Sequence, residues 1–166
     1  MKVNIALLTV TDTRTIDNDK SGGILVNKIK EANHNLIDRK ICKDNKDEIV
    51  IILKEWLLNE KIDAIITTGG TGLTGRDITP EALNEVAEKH IPGFGEIFRN
   101  ISIKTVGTSA IQSRACAVLS NGKYIFALPG SSGGVTDAWE GILKHQLDIN
   151  HKPCNFVELF PRLKEK

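Results

Sequence analysis

The chain has 166 residues, a length that suits a single domain built round one substantial hydrophobic core. Its 22 basic and 21 acidic side chains nearly cancel and are mixed along the sequence, so neither a nucleic-acid nor a membrane-surface partner is indicated. Cys42, Cys116 and Cys154 are too scattered for a disulfide framework or a zinc site, and His34, His90, His145 and His151 show no ligand spacing.

The opening MKVNIALLTVTD holds an apolar run too short to span a bilayer, with no small-residue cleavage site after it, and is expected to be a buried strand of a cytoplasmic protein. Its aliphatic residues do not alternate with polar ones, as befits a strand covered on both faces in a parallel sheet. The polar stretch DTRTIDNDKSGG predicts a loop, with Ser21 as N-cap of a helix that turns Ile24 or Leu25, Ile29 and Ala32 inward. Residues 35–42 read as a second strand. Over residues 46–59, Ile49, Ile52, Leu53, Trp56 and Leu57 recur at helical spacing, and Val50, Ile51 and Leu58 widen the stripe, as deep burial or a subunit contact would require.

A short apolar strand at 64–68 runs into Gly69-Gly70-Thr71-Gly72. Thr79-Pro80-Glu81 predicts a helix start, with the Thr79 hydroxyl accepting from an orphan N–H and proline in the first turn. Ile91-Pro92-Gly93 predicts a break, followed by a short helix over 94–101. Two apolar runs flank Asn121-Gly122, a type I′ hairpin signal. Residues 131–147 predict the last long helix, with Val135, Ala138, Trp139, Ile142 and Leu143 on one side, and the alternating tail NHKPCNFVELFPRL is expected to pack on the body or on a neighbour. Residues 1–166 therefore read as a single α/β domain, a three-layer αβα sandwich with a mixed, mainly parallel sheet.

In such sheets ligands bind beyond the carboxyl ends of the strands. Two glycine-rich connections leave strands there. Gly69 to Gly72 can bring backbone N–H groups close to an anion, and Pro129-Gly130-Ser131 leads into a helix N-terminus. Neither is a P-loop or a G-x-G-x-x-G turn, and either alone is more often a turn than a site; together they point to a phosphate-bearing ligand. Asp77 either caps the next helix or holds Mg²⁺ alongside substrate phosphates. Asp44 is a second carboxylate for the same edge or a helix-entry cap, and Asp12 is a third candidate. Ser109, Ser113 and Arg114 are phosphate binders or turn residues.

The segments TVTDTR, DKSGG, TTGGTGLTGRDITPEAL, PGFGEIFR, GTSAIQSRA and LPGSSGGVTDAWEGIL, in this order, resemble the MoaB/Mog family of molybdenum cofactor biosynthesis proteins over residues 3–147, and HKPCNF resembles its MoaB branch. The resemblance implies a three-layer α/β fold, a trimer or a hexamer of two trimers, and molybdopterin binding. In active members molybdopterin, ATP and Mg²⁺ give adenylylated molybdopterin and pyrophosphate, the intermediate taken up by the downstream metal-insertion enzyme. By position, Asp77 and Asp44 match that reaction's acidic residues, and Asp77 is the expected Mg²⁺ ligand. Gly69, Gly70, Thr71, Gly72, Ser109, Ser113, Pro129, Gly130 and Ser131 match the ligand-binding loops. Val118 departs from the family pattern, standing where S-R-x-x-x-G has glycine. The alternative implied by the MoaB branch is an accessory or carrier protein that binds molybdopterin without chemistry.

Overall fold

The computed structural model describes residues 1–165. Six strands form one sheet in the order β2-β1-β3-β6-β5-β4. Strands β1 (Asn4–Val10), β2 (Asn35–Cys42), β3 (Ala64–Thr68) and β6 (Lys123–Leu128) are parallel, while at one edge β5 (Cys116–Ser120) pairs antiparallel with β6 and the two-residue β4 (Lys89–His90) pairs antiparallel with β5. Asn121 and Gly122, both at positive φ (46° and 71°), make the tight turn between β5 and β6 that an Asn-Gly pair favours. The expected mixed, mainly parallel sheet is thus the one observed.

The helices cover both faces. Helices α1 (Lys20–Glu31), α4 (Pro92–Val106) and α5 (Ser132–Ala138) lie on one side with Leu7, Ile29, Ile66, Phe98, Phe126 and Trp139 packed between. Helices α2 (Lys46–Leu58) and α3 (Thr79–Val86) lie on the other, over Leu8, Leu53, Trp56, Ile65, Leu83 and Ile125. Neighbours such as Ile65 and Ile66 point into opposite cores, which is why the strands show no polar alternation. In α2, Val50 is buried, whereas Ile51 and Leu58 stay exposed.

Three helix boundaries differ from expectation. Asp19, not Ser21, caps α1: its carboxylate accepts from the Gly22 amide at 3.0 Å and is itself held by the Thr9 hydroxyl at 2.6 Å and by Arg39 at 3.1 Å. A fixed anion is a stronger cap than a hydroxyl. The predicted short helix at 94–101 is the longer α4: Pro92 sits in its first turn, where the missing N–H costs nothing, and the helix stops only at Gly107, φ 60°. Ser131 does cap the last helix, accepting from Gly134, but α5 gives way to a π-helical turn at Trp139–Leu143 before α6 (Lys144–Gln146). The tail packs on the body. Its Phe156 and Phe160 rings lie 4.6 and 5.5 Å from Tyr124 at the start of β6. Among the described residues no helix is long and apolar enough to cross a membrane.

Candidate functional site

The chain leaves β3 through Gly69 and Gly70, both at positive φ (101° and 69°). A Cβ on Gly69 would meet the Val10 carbonyl at 2.2 Å, so the turn lies against the end of β1 as only glycine permits. The second loop closes on the first: a Cβ on Gly130 would stand 3.2 Å from the Gly69 Cα, and the Thr68 hydroxyl donates to the Pro129 carbonyl at 2.7 Å. Thr79 was expected to accept from an orphan helix N–H. Instead its hydroxyl donates to the Gly69 carbonyl at 2.8 Å and its amide to the Gly70 carbonyl at 3.0 Å, so the first residue of α3 pins the glycine turn. The N-cap position of α3 belongs to Ile78, without a side-chain cap.

Arg114, open between phosphate binding and a turn role, faces the loop backbone. Its amide donates to the Thr71 carbonyl (2.8 Å), Nε to the Gly72 carbonyl (2.7 Å) and Nη2 to the Asp77 carbonyl (2.9 Å), while the guanidinium pairs with Glu81. One side chain thereby fixes both ends of the 72–77 segment.

Two clefts open at the carboxyl edge of the sheet. The larger, about 630 Å³, is lined by Gly70, Thr71, Gly72, Asp77, Ser109, Ser113, Pro129, Gly130 and Ser131, with Phe98, Val106 and Ala110 supplying an apolar wall. The smaller, about 390 Å³, lies over the ends of β1 and β3, where the strand order reverses, and takes in Gly69 and Asp44. Gly70, Gly130 and Ser131 line both, so the clefts meet at the two glycine loops. Of the residues singled out in the sequence for the site, Asp12 and Arg114 line neither cleft, and the others border one or the other. Sequence reasoning missed Thr9, Thr11, Thr13, Arg14 and Ser21 in the smaller cleft, and Ser102, Thr105 and Asp137 in the larger. The rule that drew attention to the glycine loops, that ligands bind beyond the carboxyl ends of the strands, applies equally to TVTDTR, which runs out of the end of β1. Ser102 and Thr105 lie beyond residue 101, where the helix was expected to end.

The carboxylates are prepared differently. Asp77 Oδ2 accepts from the Thr74 amide and hydroxyl, each at 2.8 Å. Burial pushes its carboxyl up, but these bonds, a further one from the Gly72 amide and the charge of Arg114 outweigh it and hold the group below the usual range. Asp44 caps nothing, because Asn45 is the N-cap of α2. Burial, and the negative charges of Asp12 and Asp77 against a partly compensating Arg76, push Asp44 up. Asp12 is clamped by Arg76 through both carboxylate oxygens at 2.8–3.0 Å and is held low by that bond, and its Oδ1 also accepts from the Asp44 amide. A Cβ on Gly70 would lie 3.3 Å from Asp44 Oδ1 and one on Gly72 2.7 Å from Asp77 Oδ2, so the two carboxylates flank the same loop. Among the described residues no group of three or more His, Cys, Asp or Glu side chains forms a metal site of its own. Two carboxylates beside one glycine loop, one of them pushed up by burial and by neighbouring carboxylates, fit Mg²⁺ of the kind held by one or two carboxylates and completed by substrate phosphates.

A family model described as "Probable molybdopterin binding domain" matches residues 6–149. Molybdenum cofactor biosynthesis protein B of Escherichia coli (strain K12) is 42% identical over 161 residues, 97% of this chain and 93% of that protein. The protein of the same name from Staphylococcus aureus (strain MRSA252) is 45% identical over 149 residues, 88% of each. Among solved structures, a crystal structure of molybdenum cofactor biosynthesis protein B matches with a TM-score of 0.89 at 35% identity, covering 100% of this chain and 98% of the other. The tungsten cofactor synthesizing protein MoaB from Pyrococcus furiosus matches at 0.76 and 33% identity, over 84% and 89%.

Proposed function

The chain belongs to the MoaB/Mog family of molybdenum cofactor biosynthesis proteins, and from that premise we propose that it binds molybdopterin and adenylylates it with ATP, releasing pyrophosphate. The observation that carries the reading is the junction of the two clefts at Gly70, Gly130 and Ser131, with Asp77 and Asp44 on either side of the shared loop.

The larger cleft, with Phe98, Val106 and Ala110 along one wall and hydroxyls opposite, suits a flat pterin carrying a terminal phosphate. The smaller is lined by threonine and serine hydroxyls, Arg14 and the glycine turn, a composition for phosphates. With one substrate in each, a phosphate oxygen of the pterin attacks the α-phosphorus of ATP. The new P–O bond forms as the bond between the α-phosphorus and its bridging oxygen breaks, and pyrophosphate departs with that oxygen. The attacking phosphate is already ionised, so no base is required and positioning dominates. Thr79 and Arg114 hold the loop carbonyls, which fixes the peptide planes and the direction of the loop N–H groups. Asp77 and Asp44 would hold Mg²⁺, which supplies charge neutralisation to the phosphates. A trimer or hexamer belongs to the same reading, and the exposed Ile97, Ile103 and Ile111 offer apolar surface for it.

Incubation with molybdopterin, Mg²⁺ and α-labelled ATP is expected to yield labelled pterin and pyrophosphate, and Asp77→Ala is expected to cut the rate at least about 100-fold. One observation favours a second reading, a carrier without chemistry: Asp77 already spends oxygen lone pairs on Thr74. Tight pterin binding by the wild type with no labelled product would select that reading.

A further inference from the structure

We propose that Arg14 grips the phosphates of the nucleotide in the smaller cleft, an inference that rests on the adenylyl-transfer reading above and adds a binding residue to it. The reaction brings a triphosphate and a phosphate monoester to one loop, yet among the described residues the ionisable side chains lining the two clefts are Asp44, Asp77, Asp137 and Arg14. Arg14 is the one cation among them.

The other arginines near this edge are committed. Arg76 clamps Asp12, Arg114 pairs with Glu81, Arg39 with Asp19, and Arg99 donates to the Ser113 and Ala115 carbonyls. Arg14 has no carboxylate among the described ion pairs. Its guanidinium is tethered through Nη1 alone, to the buried Ser21 hydroxyl at 3.3 Å and to the Gly130 carbonyl at 3.2 Å. Nε and Nη2 have no protein acceptor among the described residues, and that edge is the fork that meets two phosphate oxygens side by side. The tether to Gly130 sets the fork beside the loop that both clefts share. Arg14 also sits beyond β1, at the switch in strand order, where the open sheet presents a ligand site.

The probe is α,β-methylene-ATP with Mg²⁺, which binds but cannot lose pyrophosphate, titrated calorimetrically into the full chain alongside adenosine. Arg14→Ala is expected to weaken the analogue at least about tenfold and leave adenosine within about twofold, because a charged fork onto phosphate is lost and nothing that touches the base is. Arg14→Lys is expected to recover part of the loss as a point charge. The increase of Kd with salt is expected to be shallower in the alanine variant. Equal affinity of wild type and Arg14→Ala for the analogue overturns the assignment while the adenylyl-transfer reading stands. Equal weakening of analogue and adenosine also overturns it, since it marks a loss of cleft shape. A wild type that binds no analogue at all removes the transfer reading and the assignment with it.

Discussion

Asp44 and Asp77 carry the same functional group and flank one glycine loop, yet the fold treats them in opposite ways. Asp77 is supplied with donors from Thr74 and Gly72 and ionises readily, whereas Asp44 is half-buried beside two other carboxylates and resists ionisation. A carboxyl raised above its unfolded value is favoured by the fold in its neutral form, so at neutral pH its charge costs stability that returns as acid protonates it. Asp44→Asn is therefore expected to melt higher than wild type near pH 7, with the gap closing toward about pH 4, while adenylyl transfer is lost. For Asp77 the sign reverses: its lowered value contributes stability above the ordinary carboxylate range, so Asp77→Asn is expected to melt lower at neutral pH, and the deficit fades in acid. Melting curves of the two variants across this pH range check both, and a lower Asp44→Asn midpoint near pH 7 would sink the account of Asp44. The sequence made both residues visible, because a carboxylate beside a glycine loop stands out. Which of them burial and neighbouring carboxylates push up was not legible, since Asp12 and Arg76 reach Asp44 only through the fold.

At the scale of elements, the glycine loop owes its shape to groups outside it. Thr79 opens α3 and closes the Gly69 turn, and Arg114, just before β5, reaches back to Gly72, Asp77 and Glu81. Arg114→Ala leaves two loop carbonyls without their donor and Glu81 without its partner. The expected cost is roughly 1–3 kcal/mol of stability, together with faster hydrogen exchange confined to the 72–77 segment and weaker nucleotide binding. Arg114→Lys, which cannot fork, is expected to fall between. Unchanged exchange across 72–77 in the alanine variant would show that the loop holds its shape unaided. The helices themselves were readable from apolar spacing, α2 above all, because periodicity is a local property. Their starts were less so. Proline opens a helix or breaks one according to where the first turn falls, and Pro92 opens α4; the cap of α1 was misread because Asp19 is fixed by Thr9 and Arg39, contacts that span 10 and 20 residues.

For the molecule as a whole, sheet order does what no segment can. β3 and β6 are far apart in sequence, but their parallel register sets Thr68 opposite Leu128, which places both glycine loops at one edge and makes the site. Composition and motif identified the loops; their meeting depended on strand order, a long-range property. The same register separates stability from function. Tyr124, at the start of β6, lies about 13 Å along the strand from Leu128, and it is there that the tail docks through Phe156 and Phe160. Phe156 also stands 5.7 Å from Phe126 and donates its amide to the Gln146 carbonyl at 3.0 Å, so it fastens the tail to sheet and last helix together. Phe156→Ala is expected to cost about 2–4 kcal/mol, the lower part of the range for a ring that is only half-buried. That lowers the melting temperature by roughly 5–12 °C in a chain of this size. Because Tyr124, the nearest ring to Phe156, lies toward the far end of β6 and neither cleft is lined by Phe156, nucleotide affinity below the transition should stay within about twofold of wild type. A variant that melts normally but binds nucleotide poorly would mean that the tail acts on the clefts through the sheet, and the separation of the two ends would have to be abandoned.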